Sequence, residues 1–73
     1  MSTKKAMKEL YNLSKNLADI RRSYGYSQTY VAKQLGITSQ SYRAYECGIT
    51  VPTLKNFIKL AKLYDVSLDE LIE

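Results

Sequence analysis

The chain has 73 residues and a formal net charge of +4, and both values limit what it can be. A chain of this size forms one small domain, too short for cofactor-binding domains, barrels and two-lobed enzymes. It has no histidine and one cysteine, Cys47, so neither a zinc site nor an intramolecular disulfide is expected. Residues 65–73 hold four acidic residues and no basic one, whereas residues 1–64 hold eleven basic residues against three acidic ones. This asymmetry favours a polyanionic partner.

Other classes of protein are disfavoured by what the sequence lacks. It has no uninterrupted apolar run of about 18 residues and no charged-then-apolar leader, so a cytoplasmic protein without a membrane-spanning segment is expected. Paired carboxylates in a cleft and a glycine-rich phosphate loop are missing, and Cys47 has no imidazole base, so enzyme chemistry is not expected. We predict no cofactor, no metal and no small-molecule site.

Apolar residues spaced three and four positions apart predict a long first helix. They are Leu10, Leu13, Leu17, Ile20 and Tyr24. The helix would begin near Lys4 or Lys5, after a frayed tail over residues 1–5, and would end at Gly25.

Two shorter helices follow. Ser27 is suited to cap the second helix, which would stop at Gly36, and Thr38 is suited to cap the third, which would end at Gly48. The residues expected to face the core are Val31, Ala32 and Leu35 in the second helix and Tyr42 and Tyr45 in the third.

A loop then leads to two further helices, because Pro52 restricts Val51 to extended conformations. Thr53 can cap a fourth helix, and Ser67 with Glu70 fits a capping box that opens a short fifth one. The apolar residues expected to pack inward are Leu54, Phe57, Ile58, Leu60, Ala61 and Tyr64, then Leu68, Leu71 and Ile72. No segment alternates with a period of two for long enough to predict a strand. The predicted fold class is all-α.

Three segments, in order, resemble the Cro/repressor class of helix-turn-helix proteins, also called Xre-type. Residues 27–38 (SQTYVAKQLGIT) resemble the family's second helix, its turn and the entry to its third helix. Residues 41–48 (SYRAYECG) resemble the end of the recognition helix, and residues 51–72 resemble the last two helices. Ala32 fits the crossing of two helices, where nothing larger than a methyl group is tolerated, and Gly36 fits the sharp turn.

The resemblance covers residues 16–72. It implies a compact five-helix, lambda-repressor-like DNA-binding domain over residues 13–73, with the helix-turn-helix at helices two and three. Residues 1–12 would be a tail and an extension of the first helix.

The family commonly pairs an arginine late in its first helix with the glutamate that ends its third, and those positions hold Arg21 and Glu46 here. An unpaired buried carboxylate next to the inward-facing Tyr45 would be costly, which favours an ion pair over two solvated charges. The chain also departs from the family. Tyr42 and Tyr45 replace an aliphatic residue and a tryptophan or isoleucine, and Cys47 replaces an asparagine that often contacts a phosphate.

The outward face of the third helix is predicted to contact base edges. On a helix beginning at Thr38, Ser39 and Arg43 share one face, Gln40 and Ala44 share another, and the two tyrosines lie opposite. A glutamine can bind adenine bidentately, an arginine can bind guanine, and a methyl group can contact the C5 methyl of thymine. Arg43 could equally bind a phosphate, and Thr38 could serve only as a cap.

Further residues are candidates for the DNA backbone. The resemblance implies a phosphate contact at Gln28, where the positive end of the second helix favours an anion; an exposed helix start is the alternative. Thr38 and the residues around the start of the fourth helix, Thr50, Thr53 and Lys55, complete the predicted set.

These features predict a cytoplasmic, nucleoid-associated transcriptional regulator, a repressor, that binds double-stranded DNA as a homodimer on a palindromic operator. One recognition helix covers only a few base pairs, so two copies are needed for useful specificity. The alternative is an antitoxin or a protein-binding adaptor whose DNA binding is secondary. The proposed dimer surface comprises Val66, Leu68 and Ile72, and the alternative one comprises Met7, Leu10 and Tyr11.

Overall fold

A computed structural model describes residues 3–73, with side chains from residue 7 onward, and this part of the chain forms five α-helices and no strand. The helices are α1 (Thr3–Tyr24), α2 (Gln28–Leu35), α3 (Ser39–Glu46), α4 (Leu54–Tyr64) and α5 (Leu68–Ile72). The all-α prediction is confirmed. None of these helices is both long enough and apolar enough to cross a membrane.

The prediction of a frayed tail over residues 1–5 is wrong for its last three residues, because α1 already begins at Thr3. Lysine, alanine and methionine, which fill the positions after Thr3, are good helix formers, and this explains the longer helix. Residues 1 and 2 lie outside the described part of the chain.

Four helices begin at the caps predicted from the sequence. The hydroxyl oxygens of Ser27, Thr38 and Thr53 each accept a hydrogen bond from the amide three residues on, at 3.0, 3.1 and 3.2 Å. Ser67 and Glu70 form the reciprocal capping box, with bonds of 3.1 and 3.0 Å. Each cap satisfies an amide that the first helical turn leaves without a partner.

The turn between α2 and α3 depends on Gly36, whose φ of 73° is left-handed. A Cβ placed there would meet no atom within 4 Å, so the backbone conformation and not crowding favours glycine. The third helix was predicted to end at Gly48, and this glycine directly follows the C-cap of the helix. Helix α3 ends at Glu46, with Cys47 as its C-cap, because the left-handed φ of Gly48 breaks the helical repeat.

The core lies where the helices meet and is apolar. Its buried residues are Leu13, Leu17, Val31, Ala32, Leu35, Tyr42, Tyr45, Leu60, Ala61, Tyr64 and Leu71. Three residues predicted to face inward do not: Leu54, Ile58 and Leu68 are 70%, 38% and 39% exposed. The apolar arc of α4 is wider than its contact with the core, and Leu68 occupies the first position of α5, so each side chain falls on an outer flank.

The short helix α5 is held by two asparagines of α1. The side-chain amide of Asn12 donates to the carbonyl of Ile72 at 3.2 Å, and that of Asn16 donates to the carbonyls of Leu71 and Glu73 at 3.0 Å each. These bonds satisfy carbonyls that the end of a helix leaves free. They fix the C-terminal helix against α1, on which the helix-turn-helix also packs.

Candidate nucleic-acid interface

Helices α2 and α3 form a tight pair joined by a turn. Ala32 is buried at 1% exposure, and its carbonyl accepts the amide of Ile37 at 3.0 Å, which closes the turn. In α3, Tyr42 and Tyr45 are 0% and 8% exposed and anchor the helix to the core. The opposite side of α3 therefore faces away from the protein.

That outward face carries the residues predicted to contact bases. Gln40 and Arg43 are exposed, whereas Ser39 and Ala44 are half-buried. The hydroxyl of Ser39 donates to Oγ1 of Thr29 in α2 at 3.2 Å, so this group is already engaged. Among the described residues, the side chains of Gln40 and Arg43 take part in no hydrogen bond or ion pair. Two donor-rich side chains thus project together from a rigid helix.

The end of α3 is fixed by the ion pair expected between Arg21 and Glu46. Nε of Arg21 donates to Oε2 of Glu46 at 2.6 Å, and Nη2 donates to Oε1 at 3.1 Å. A third bond, 2.9 Å long, joins Nη1 to the carbonyl of Tyr26. The side chains of Arg21 and Glu46 are only 12% and 4% exposed, so these are not solvated charges. A bidentate pair of this kind fixes orientation as well as distance.

The environment of Glu46 keeps it ionised. Burial alone would raise the pKa of its carboxyl group, but hydrogen bonds from Arg21, Tyr42 and Gln28 outweigh burial and leave the pKa lowered. The pKa of Arg21 is raised, chiefly by its hydrogen bond to the same carboxylate. Both groups are therefore charged at neutral pH, and the pair joins α1 to α3 in that state.

Gln28 links the start of α2 to the same carboxylate. Its Nε2 donates to Oε1 of Glu46 at 3.0 Å, and the residue is half-buried. A side-chain amide nitrogen carries two hydrogens, so one remains available for an acceptor outside the protein. This contact was not predicted from the sequence, because the two residues are 18 positions apart.

The hydroxyls of the buried tyrosines find partners inside the protein. The hydroxyls of Tyr42 and Tyr64 lie 3.2 Å apart, and that of Tyr45 accepts a bond from the amide of Asn56 at 3.2 Å. Burial, together with hydrogen bonding to Glu46 and Tyr64, raises the pKa of Tyr42, which stays neutral. At 0% exposure, the hydroxyl of Tyr42 has no access to a DNA backbone.

The remaining candidate residues lie on the segment between α3 and α4. Thr50, Thr53 and Lys55 are all exposed, as is Thr38 at the start of α3. The amides of Ile49 and Thr50 donate to the carbonyl of Ala44 at 2.9 and 3.3 Å, which holds this segment against α3.

Comparison with known proteins agrees with this geometry. A family model described as helix-turn-helix matches residues 17–71. The chain belongs to this helix-turn-helix family. The match includes both helices of the motif, the last third of α1, all of α4 and all but the last residue of α5, and it confirms the resemblance found in the sequence. Membership also agrees with the expectation that the chain is not an enzyme.

Several helix-turn-helix relatives are similar in sequence. The chain is 36% identical over 59 residues to the cryptic phage CTXphi transcriptional repressor RstR of Vibrio cholerae, covering 81% of this chain and 53% of that protein. It is 46% identical over 57 residues to YonR, an SPbeta prophage-derived HTH-type transcriptional regulator of Bacillus subtilis, covering 78% and 53%. The chain thus spans about half the length of the curated relatives it matches.

A solved structure is similar as well. The crystal structure of a transcriptional regulator from Listeria innocua matches with a TM-score of 0.79 at 27% identity, over 82% of this chain and 56% of that one. The similarity therefore extends beyond the motif to the arrangement of the supporting helices.

Proposed function

We propose that the chain is a transcriptional repressor that binds double-stranded DNA sequence-specifically, with α3 as the recognition helix in the major groove. The observation that carries the proposal is the contrast between the two sides of α3. Tyr42 and Tyr45 are buried on one side, and Gln40 and Arg43 are exposed without protein partners on the other. A helix held in this way can present the same donors to DNA each time it docks.

The chemistry of the exposed face suits base edges. Gln40 can bind adenine bidentately and Arg43 can bind guanine bidentately, while the methyl group of Ala44 can contact thymine. Ser39 contacts bases through the lone pairs of its hydroxyl, because its hydrogen is donated to Thr29. Together these four residues of α3 form the proposed reading surface.

Backbone contacts would position that surface. Gln28 offers its second amide hydrogen to a phosphate at the start of α2, where the helix dipole also favours an anion. At the other end of the site, Thr50, Thr53 and Lys55 form a second clamp, with Thr38 beside α3. The excess of basic residues over residues 1–64 supplies the long-range attraction to DNA.

Repression is the regulatory direction that the relatives favour. The similar Vibrio cholerae phage protein is named as a transcriptional repressor, and the similar Bacillus subtilis protein derives from a prophage. A protein that covers an operator with a small domain can block transcription by occupancy alone.

We also propose that the chain acts as a homodimer on a palindromic operator. Of the two surfaces suggested by the sequence, the C-terminal one retains little free apolar area, because Val66 and Ile72 pack against the core and Leu68 is 39% exposed. The alternative surface on α1 is more exposed, with Met7 at 64% and Tyr11 at 67%. The exposures therefore favour α1. Sedimentation of Tyr11→Glu and Leu68→Glu tests this: only the first should shift the dimer towards monomer, and the reverse result would restore the C-terminal surface.

Selection of bound duplexes from a random pool tests the proposed function. The expected product is a two-fold symmetric sequence whose half-sites lie about 34 Å apart, one turn of DNA. Affinity for it should fall steeply with salt, because phosphate contacts release counterions. Failure to retain any duplex at low ionic strength would refute DNA binding. A single asymmetric half-site would refute the homodimer but not the reading helix.

A further inference from the structure

A surface groove of about 440 Å³ follows one flank of α3, between the helix and the segment that leads to α4. From the helix it is lined by Gln40, Ser41, Ala44 and Tyr45, with the cap residue Thr38 at the start, and from the segment by Thr50 and Val51. The bonds from the Ile49 and Thr50 amides to the Ala44 carbonyl hold the two walls together at this level. The groove thus adjoins the proposed reading surface.

The two ends of the groove differ chemically. At one end lies the amide of Gln40. One helical turn further, about 6 Å along the axis, the side chain of Ala44 faces the groove that Val51 also lines. Val51 is 56% exposed, and Pro52 holds its backbone extended. Thr50, assigned above to a phosphate, also lines the groove, but the side chains of Ala44 and Val51 supply no donor, so a phosphate placed between these two would lose water without gaining a hydrogen bond. A methyl group, in contrast, can pack between these two aliphatic side chains.

We propose that Val51, together with Ala44, receives the C5 methyl group of a thymine in the bound duplex, so that a residue outside α3 determines part of the DNA sequence preference. The inference rests on the proposed function. Thymine is the only one of the four bases that presents a methyl group in the major groove. Successive bases on a strand rise about 3.4 Å, so a 6 Å offset is less than two steps. Each half-site then holds an adenine contacted by Gln40 and a thymine within two base pairs of it.

Replacement of single thymines by deoxyuridine in the selected duplex tests the proposal, since uracil lacks only the methyl group. One thymine per half-site should matter, and its replacement should weaken binding by about fourfold, the effect of losing the burial of one methyl group. That thymine should lie within two base pairs of the position at which Gln40→Ala loses discrimination.

The same titrations with Val51→Ala and Ile49→Ala identify the residue responsible. In Val51→Ala the penalty for uracil should fall well below fourfold, because one of the two side chains that cover the methyl group is shortened. Ile49→Ala is the matched control: Ile49 belongs to the same loop, is 77% exposed and does not line the groove, so the fourfold penalty should remain. Thermal melts establish that both surface variants are folded.

Three results would overturn the proposal. In the first, no uracil replacement weakens binding. In the second, Val51→Ala keeps the full penalty, which would assign the methyl contact to α3 alone. In the third, uracil replacement no longer weakens the binding of Ile49→Ala either, so that the sensitivity to the methyl group would be a general property of the loop. A protein that binds the selected duplex but tolerates uracil everywhere refutes this inference only, whereas a protein that retains no duplex refutes the proposed function with it.

Discussion

Arg21→Met should destabilise the fold more than the replacement of an exposed basic residue, because it leaves the Glu46 carboxylate without its counter-ion. That side chain is 4% exposed, and removing one partner of a buried ion pair costs about 3–5 kcal/mol. Gln28 still donates to the carboxylate, so we expect the lower end, about 3 kcal/mol. A chain of this length has a free energy of unfolding of only about 4–11 kcal/mol.

Thermal and urea unfolding followed by circular dichroism measures the effect. At 4–8 °C per kcal/mol for a domain of this size, the Tm should fall by about 12–24 °C. Without Arg21, burial should raise the pKa of Glu46, and the carboxyl group can then protonate on folding. The cost of Arg21→Met should therefore shrink as the pH falls from 7 towards 5. The double variant Arg21→Met/Glu46→Met should lose less free energy of unfolding than the two single variants together, since it leaves no charge buried without a partner.

Arg22→Met is the matched control for this exchange. Arg22 is the neighbouring residue of α1, is exposed and takes part in no ion pair among the described residues, so its loss should change stability by less than about 0.5 kcal/mol. If both variants cost the same, or if the cost of Arg21→Met does not depend on pH, the ion pair does not hold α3 in place.

Three other predictions follow from the same contacts. Because folding lowers the pKa of Glu46, its ionised carboxylate stabilises the fold above pH 4.5, the ordinary pKa of the group, and this contribution is lost as the pH falls through the folded pKa. Urea titrations from pH 7 to about pH 3 should therefore show a smaller fall in the free energy of unfolding for Glu46→Gln than for the unchanged chain. Tyr42→Phe leaves the buried hydroxyl of Tyr64 without its partner and should cost about 1–3 kcal/mol in the same assay, whereas an unchanged midpoint would mean that this bond contributes nothing. Lys55→Ala should weaken binding to all duplexes about equally and reduce the salt slope by about 1, while Lys62→Ala, in the last turn of α4, should not; equal effects would remove Lys55 from the clamp.

The features that were predictable from the sequence are local ones. The caps at Ser27, Thr38, Thr53 and Ser67 depend on a side chain and an amide three residues apart, so a short pattern contains both partners. The positive φ at Gly36 likewise follows from one residue type at one turn. Such features need no knowledge of how the helices pack.

The features that were missed depend on packing. The spacing of apolar residues on α4 shows that the helix is amphipathic, but it does not show how much of the apolar arc the core covers, and Leu54 and Ile58 lie outside it. The bonds from Gln28 to Glu46 and between Tyr42 and Tyr64 join residues 18 and 22 positions apart. No local pattern predicts these contacts, because each joins two different helices and depends on how they pack.

Gln40→Ala gives the most direct test of base reading by the outward face of α3. Its binding should be titrated on the selected duplex and on a scrambled one, with Gln34→Ala, an exposed glutamine of α2, as the matched control. Gln40→Ala should lose about 1–3 kcal/mol on the selected duplex and little on the scrambled one, while Gln34→Ala loses little on either. Equal losses of Gln40→Ala on both duplexes would mean that Gln40 binds the DNA backbone and that α3 does not read the sequence in the way proposed.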